Sequence, residues 1–191
     1  MKSEKYCIFV TFYLYTRVNK RKYLIIAMVV GLLAVPLCLM QADEVATLKK
    51  KLLKLKGGER IEALYALYDL TYDDGNINEQ SQWMNDAVST ALQLKDNDAK
   101  ATAIAQRAVH FYNNNLSDSI YKYVPNDLNI LKSIEKWSTY YEVWTHLVNT
   151  YTFSGNTATA LREVQKMFDD AKNRNDAYGM GMAYYTMGNV Y

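Results

Sequence analysis

Cysteine is nearly missing from this chain: only Cys7 and Cys38 occur, both ahead of residue 43. The stretch beyond can have no disulfide framework, no thiolate nucleophile and no cysteine metal site. Two prolines and eight glycines leave little punctuation, which argues against many short strands and for long helices. Histidine is as scarce. His110 and His146 lie on separate predicted helices with no cysteine or helical histidine partner, so no zinc site is expected and no cofactor is implied. His146 reads as a groove or surface histidine rather than a base. The sequence has no GxxxxGK, GxGxxG or GxSxG, and no aromatic and basic strip for single-stranded nucleic acid. DDGNINE, from Asp73 to Glu79, alternates acids and amides like a calcium loop, but Glu79 stands where glycine is required and Asn85 where the closing glutamate should be. It is read as a turn that caps a helix.

Charge is unevenly spread. Of 22 basic residues, six (Lys2, Lys5, Arg17, Lys20, Arg21 and Lys22) precede residue 43, opposed only by Glu4, which leaves sixteen basic and nineteen acidic residues beyond. That remainder is mildly acidic and has no basic patch to hold nucleic acid.

The basic cluster introduces a leader, residues 1–42. Tyr23 to Met40, YLIIAMVVGLLAVPLCLM, is an uncharged apolar run after Lys20-Arg21-Lys22, and it exits through Gln41-Ala42-Asp43. These are the parts of a secretory signal peptide. A retained membrane anchor is the alternative, since the run is just long enough to span with Pro36 inside it. Lipidation at Cys38 is disfavoured by the bulky Leu37 before it. Residues 1–17 lengthen the flank beyond need, and synthesis opening at Val18 would give an ordinary leader. The expected location is exported, periplasmic or extracytoplasmic and membrane-associated.

From residue 43 onward, helix is expected to succeed helix. In DEVATLKKKLLKLKGG, Val45, Leu48, Leu52 and Leu55 share one face, the lysines form a solvated face, and Gly57-Gly58 is read as the stop. ERIEALYALYDLTYDDG places Leu64, Tyr65, Tyr68 and Tyr72 for burial. INEQSQWMNDAVSTALQLKD and DAKATAIAQRAVHFYNNN come next, each bounded by Asn, Asp or Gly. Pro125 is expected to break or kink the next segment, sitting in the first turn of a helix that carries Leu128, Leu131, Ile134 and Trp137.

A longer period overlies these helices. Tyr184, Met187, Gly188 and Tyr191 fall 40 residues after Trp144, Leu147, Val148 and Tyr151, which in turn fall 40 after Ile104, Arg107, Ala108 and Phe111. Tyr65, Tyr68, Asp69 and Tyr72 form a fainter copy. The spacing resembles the tetratricopeptide repeat, a helix–turn–helix unit with Trp, Leu, Gly and Tyr at these intervals in its first helix. Trp144, Leu147 and Tyr151, with Gly155 in the turn and Ala160 and Val164 in the second helix, carry the best copy; Tyr184, Gly188 and Tyr191 carry the terminal one. Val148 departs from the small residue usual there, Arg107 departs from the apolar one, and the period exceeds the usual value of about 34 residues.

The resemblance implies an all-α fold, a right-handed α-solenoid of antiparallel helix pairs over residues 43–191. In such an array Gly188 would mark a close helix approach and imply a further helix, so the last repeat reads as incomplete. The resemblance also implies a groove lined by residues just after the packed ones: Gln106, Val109, Tyr112 and Asn113; Thr145, His146, Asn149 and Thr152; and Tyr185, Thr186 and Asn189. This ladder carries amides and aromatics and few charges, which suits the backbone of an extended protein or peptide segment better than a carboxylate. The leader and the tyrosine-rich helices are similar to the amino-terminal regions of membrane-bound histidine kinases and transcription regulators of some Gram-negative bacteria. The expectation is a segment-binding sensor module, with a stand-alone periplasmic scaffold as the alternative. No catalytic residues are expected.

Overall fold

The computed structural model describes residues 43–191 apart from Asp74, so the leader and its two cysteines lie outside the described residues. Among the described residues there are eight helices and no strand. They are α1 (residues 43–52), α2 (Gly57–Leu70), α3 (Ile77–Leu92), α4 (Asn97–Asn113), α5 (Ser117–Ser133), α6 (Trp137–Phe153), α7 (Thr157–Asn173) and α8 (Ala177–Val190). None is long and apolar enough to cross a membrane.

Each helix follows from its apolar spacing. Ala101, Ile104, Ala108 and Phe111 of α4, or Ala160, Val164, Met167 and Ala171 of α7, recur at three- and four-residue steps and are buried, which gives each helix one stripe to hide against its neighbours. In α3, α4, α7 and α8 a side chain at the cap position accepts from a first-turn amide. Asn76 accepts from Asn78 N at 2.9 Å, Asp96 from Asp98 N at 2.9 Å and Ala99 N at 3.0 Å, and Asp176 from Gly179 N at 3.0 Å. Within DDGNINE, Asn76 thus caps α3, and Ile77, Asn78 and Glu79 already lie in its first turn.

The stride of 40 is two helices of 20. Helices α4 to α8 begin at 97, 117, 137, 157 and 177, and the four turns between them share one hydrogen-bond pattern. Asn115, Glu135, Gly155 and Asn175 all have positive φ, between 54° and 75°. The residue after each reaches back across the turn. Leu116 N donates to Phe111 O at 2.8 Å, Lys136 N to Leu131 O at 3.0 Å, Asn156 N to Tyr151 O at 2.9 Å and Asp176 N to Ala171 O at 2.9 Å. This Schellman closure satisfies the last carbonyls of one helix while its final residue opens the next. Each connection between these helices is therefore minimal.

Consecutive helices from α2 to α8 pack on one another, and α4 also packs on α6, and α6 on α8. Helices α3, α5 and α7 make no comparable contact with each other among the described residues. One core runs through the whole array.

Three expectations are corrected. Pro125 does not break its segment: α5 runs from Ser117 to Ser133 with Pro125 inside, Ile134 is its C-cap, and Trp137 opens the next helix. Ile120, Val124, Leu128 and Leu131 form a buried stripe while Pro125 is exposed. Four buried aliphatic side chains, at about 1.5–3 kcal/mol each, outweigh the roughly 3 kcal/mol that an interior proline costs. Gly57 and Gly58 do not close α1 but start α2, where Gly57 has φ 55°. Tyr72 is exposed rather than buried, while Ile61 and Leu67 join Leu64 in the core.

Candidate binding face

The residues read as packing positions divide by helix. Phe111, Leu147 and Ala160 are buried, as is Trp144, whose Nε1 donates to Glu163 Oε2 at 3.2 Å. Tyr151 is half-buried and its ring stacks on Tyr121 at 4.8 Å. Gly155 holds the turn with φ 75°. In the terminal copy the pattern changes. Tyr184 touches Phe168 at 5.0 Å yet is exposed, Tyr191 is 91% exposed, and a Cβ at Gly188 would meet open space. The close approach in α8 is made by Gly179, where a Cβ would overlap the Tyr141 ring and lie 2.9 Å from Ala171 Cβ.

The eleven groove positions also sort into two groups. Thr145 and Thr186 are buried between α6 and α8, with their Oγ1 atoms 2.9 Å apart. Thr145 Oγ1 also lies 2.9 Å from Tyr141 O, and Thr186 Oγ1 2.7 Å from Met182 O. Each hydroxyl has its own backbone carbonyl and the other hydroxyl within reach, so two protons satisfy at most two of the three contacts at once. These threonines fasten helices and are unavailable to a ligand. Asn149 is also buried, and its Oδ1 has no hydrogen-bond partner among the described residues.

The others lie on α4, α6 and α8 with part or all of their side-chain surface open. Gln106, Val109, Asn113, Tyr185 and Asn189 are exposed, while Tyr112, His146 and Thr152 are half-buried. Tyr112 and His146 bring α4 and α6 together, with ring centroids 4.7 Å apart. Burial pushes the His146 imidazole below its ordinary range, opposed by the nearby Glu142 carboxylate. Its Nδ1 has no hydrogen-bond partner among the described residues. Thr152 Oγ1 turns back to Val148 O at 3.1 Å.

Two residues on or beside this face carried no repeat signal. Glu142 supplies its charge and accepts from Tyr178 OH at 2.8 Å, joining α6 to α8. Phe153 ends α6 with 76% of its surface exposed, and its ring centroid is 6.2 Å from that of Tyr112.

Among the described residues no group of His, Cys, Asp or Glu is arranged to hold a metal ion. Compared with family models, curated proteins and solved structures, the chain matches none.

Proposed function

We propose that residues 43–191 form a tetratricopeptide-like solenoid that receives an extended, largely uncharged protein or peptide segment across α4, α6 and α8, and that the leader exports it to serve as the sensor arm of a membrane-associated signalling protein. The observation that carries this reading is an asymmetry of packing. Alternate helices touch on the α4–α6–α8 side, whereas α5 and α7 make no comparable contact on the other. A stack that is tighter on one side curves toward it, and concave faces of this kind are what stacked helix pairs offer to a partner. The exposed Gln106, Asn113, Tyr185 and Asn189 supply amide donors and acceptors with a rigid aromatic, which suits main-chain recognition of an extended segment.

Selection from a peptide library, followed by affinity measurements, tests it. Selected peptides should be poor in charge. Replacing Tyr185 and Asn189 by alanine should weaken them about tenfold or more without lowering the melting temperature, because both side chains are exposed. Retention of full affinity by this variant, together with loss on changing the outer faces of α5 and α7, would put the ligand elsewhere. The sensory role is tested by reading the coding sequence past codon 191: a membrane span with kinase or regulator motifs supports it, and a stop after one or two further helices selects the stand-alone scaffold.

A further inference from the structure

A cavity of about 280 Å³ opens where the C-terminal ends of α4 and α6 meet the first turn of α5. Phe111 and Ile120, both buried, provide apolar lining, and the rings of Tyr112 and Phe153 stand against it. Asn113, Asn115, Ser117 and Thr150 add amides and hydroxyls, and among the described residues no charged side chain lines it.

Size, charge and ring geometry restrict the occupant. The volume is below the roughly 300–1,000 Å³ of sites for drug-sized molecules, which suits a molecule of one or two rings. An ion would be desolvated with no counter-charge, which is costly. Phe153 keeps most of its ring in water, beside Tyr112, and an aromatic ligand would find both edge and face contacts there.

We propose that this cavity binds one uncharged aromatic ring bearing a hydrogen-bonding group, such as a phenol or an indole. The ring comes either from a free small molecule or from a side chain of a bound segment. The second source rests on the proposed segment-binding function; the cavity's preference for the ring does not. Tyr112 links the two regions, because it lines the cavity and packs against His146 of the binding face.

Titration of the full chain, followed by amide chemical shifts, tests the proposal with indole, p-cresol, benzoate and N-acetyl-tryptophanamide. Indole and p-cresol should shift the amides of Asn113, Asn115 and Ser117 saturably, with Kd on the order of 1 mM, as befits ligands of so few atoms. Benzoate should bind at least about tenfold more weakly. Phe153→Ala, an exposed change that leaves the melting temperature in place, should weaken indole about tenfold. Binding of the capped tryptophan as tightly as indole supports a side-chain source, and its exclusion while indole binds supports a free molecule. Absence of saturable shifts near the cavity for all four probes, or unchanged indole affinity in Phe153→Ala, overturns the proposal. Selected peptides that bind Phe153→Ala normally but lose affinity when Tyr185 and Asn189 become alanine would overturn the side-chain source and leave the binding face intact.

Discussion

Arg107 of α4 and Asp127 of α5 form an ion pair inside the protein, with Nη2 to Oδ1 at 2.5 Å and side chains 8% and 1% exposed. Arg107 Nη1 also donates to Asn85 Oδ1 of α3 at 3.2 Å, and its guanidinium lies over the Tyr123 ring at 4.8 Å. One side chain therefore connects three helices at a position whose later counterparts in the stride are Leu147 and Met187. Burial pushes the Asp127 carboxyl above its usual range, and Arg107 opposes that rise only in part. Among the described residues Asp127 Oδ2 and Arg107 Nε have no hydrogen-bond partner, so the pair is incompletely satisfied there.

Removing only one charge should be far worse than removing both. Arg107→Leu leaves a buried carboxylate alone and is expected to cost about 3–5 kcal/mol. Arg107→Leu with Asp127→Leu should recover most of that loss. In the single variant the Asp127 carboxyl rises further. A carboxyl raised in the folded state contributes stability below its unfolded value and loses it as pH climbs through the folded one. The deficit of Arg107→Leu relative to wild type should therefore shrink on acidification. Urea unfolding of the three proteins at several pH values checks both statements.

The four equivalent turns give an internal comparison. Glu135 occupies the left-handed conformation that Gly155 adopts one turn later, and such a conformation costs a residue with a Cβ about 1–2 kcal/mol. Glu135→Gly should stabilise the protein by roughly 0.5–1 kcal/mol, the gain being reduced by glycine's freedom in the unfolded chain, and Gly155→Ala should destabilise it by about 1 kcal/mol. Thermal unfolding of both variants measures the pair. Equal effects of one sign would contradict the shared geometry.

The stride was readable because burial imposes it directly: the apolar residues of α4, α6 and α7 return at helical spacing, and the step of 20 per helix adds to the 40 seen in the sequence. The threonines were not readable. Thr145 and Thr186 differ in register by one residue from the 40-residue offset, so aligning copies places them on a face, while the interface between α6 and α8 hides them both. Arg107 stood out as a departure from the repeat, but its partner Asp127 lies on another helix, and nothing local couples the two. Pro125 misled for a related reason, since the cost of proline is local and the buried stripe that outweighs it is spread over α5. Phe153 gave no periodic signal at all, and its significance comes only from the cavity beside it.

His110 predicts a pH response. It is 1% exposed and lies between Ser81 Oγ, 2.8 Å from Nε2, and Tyr68 OH, 3.2 Å from Nδ1. Asn114 Nδ2 donates to the His110 carbonyl at 2.8 Å and sits 3.2 Å from Nδ1, which makes Nδ1 the acceptor and leaves Nε2–H to donate to Ser81. Burial pushes this imidazole below its ordinary range, as it does His146. The unfolded chain then binds protons that the folded one refuses. Stability is complete above the unfolded value of about 6.5 and falls as pH drops below it, by at most about 1.4 kcal/mol per pH unit for each histidine. His146→Asn should flatten part of that slope, as read from unfolding free energies between about pH 7.5 and pH 5.

Two glycines of α8 separate the position where the sequence placed a close helix contact from the one where the structure has it. At Gly179 an added Cβ would run into the Tyr141 ring. Tyr141 is fully buried and donates from its OH to Asp170 Oδ2 at 3.0 Å, so the ring cannot swing away without leaving that acceptor. Gly179→Ala should therefore cost about 1–3 kcal/mol, the usual toll of overpacking. At Gly188 the added methyl meets nothing, and alanine's better helix propensity should stabilise by up to about 1 kcal/mol, less if the last turn frays. Opposite signs in the two melting curves fix the contact at Gly179. Destabilisation by Gly188→Ala would mean that a partner, from this chain or another, covers that face in solution.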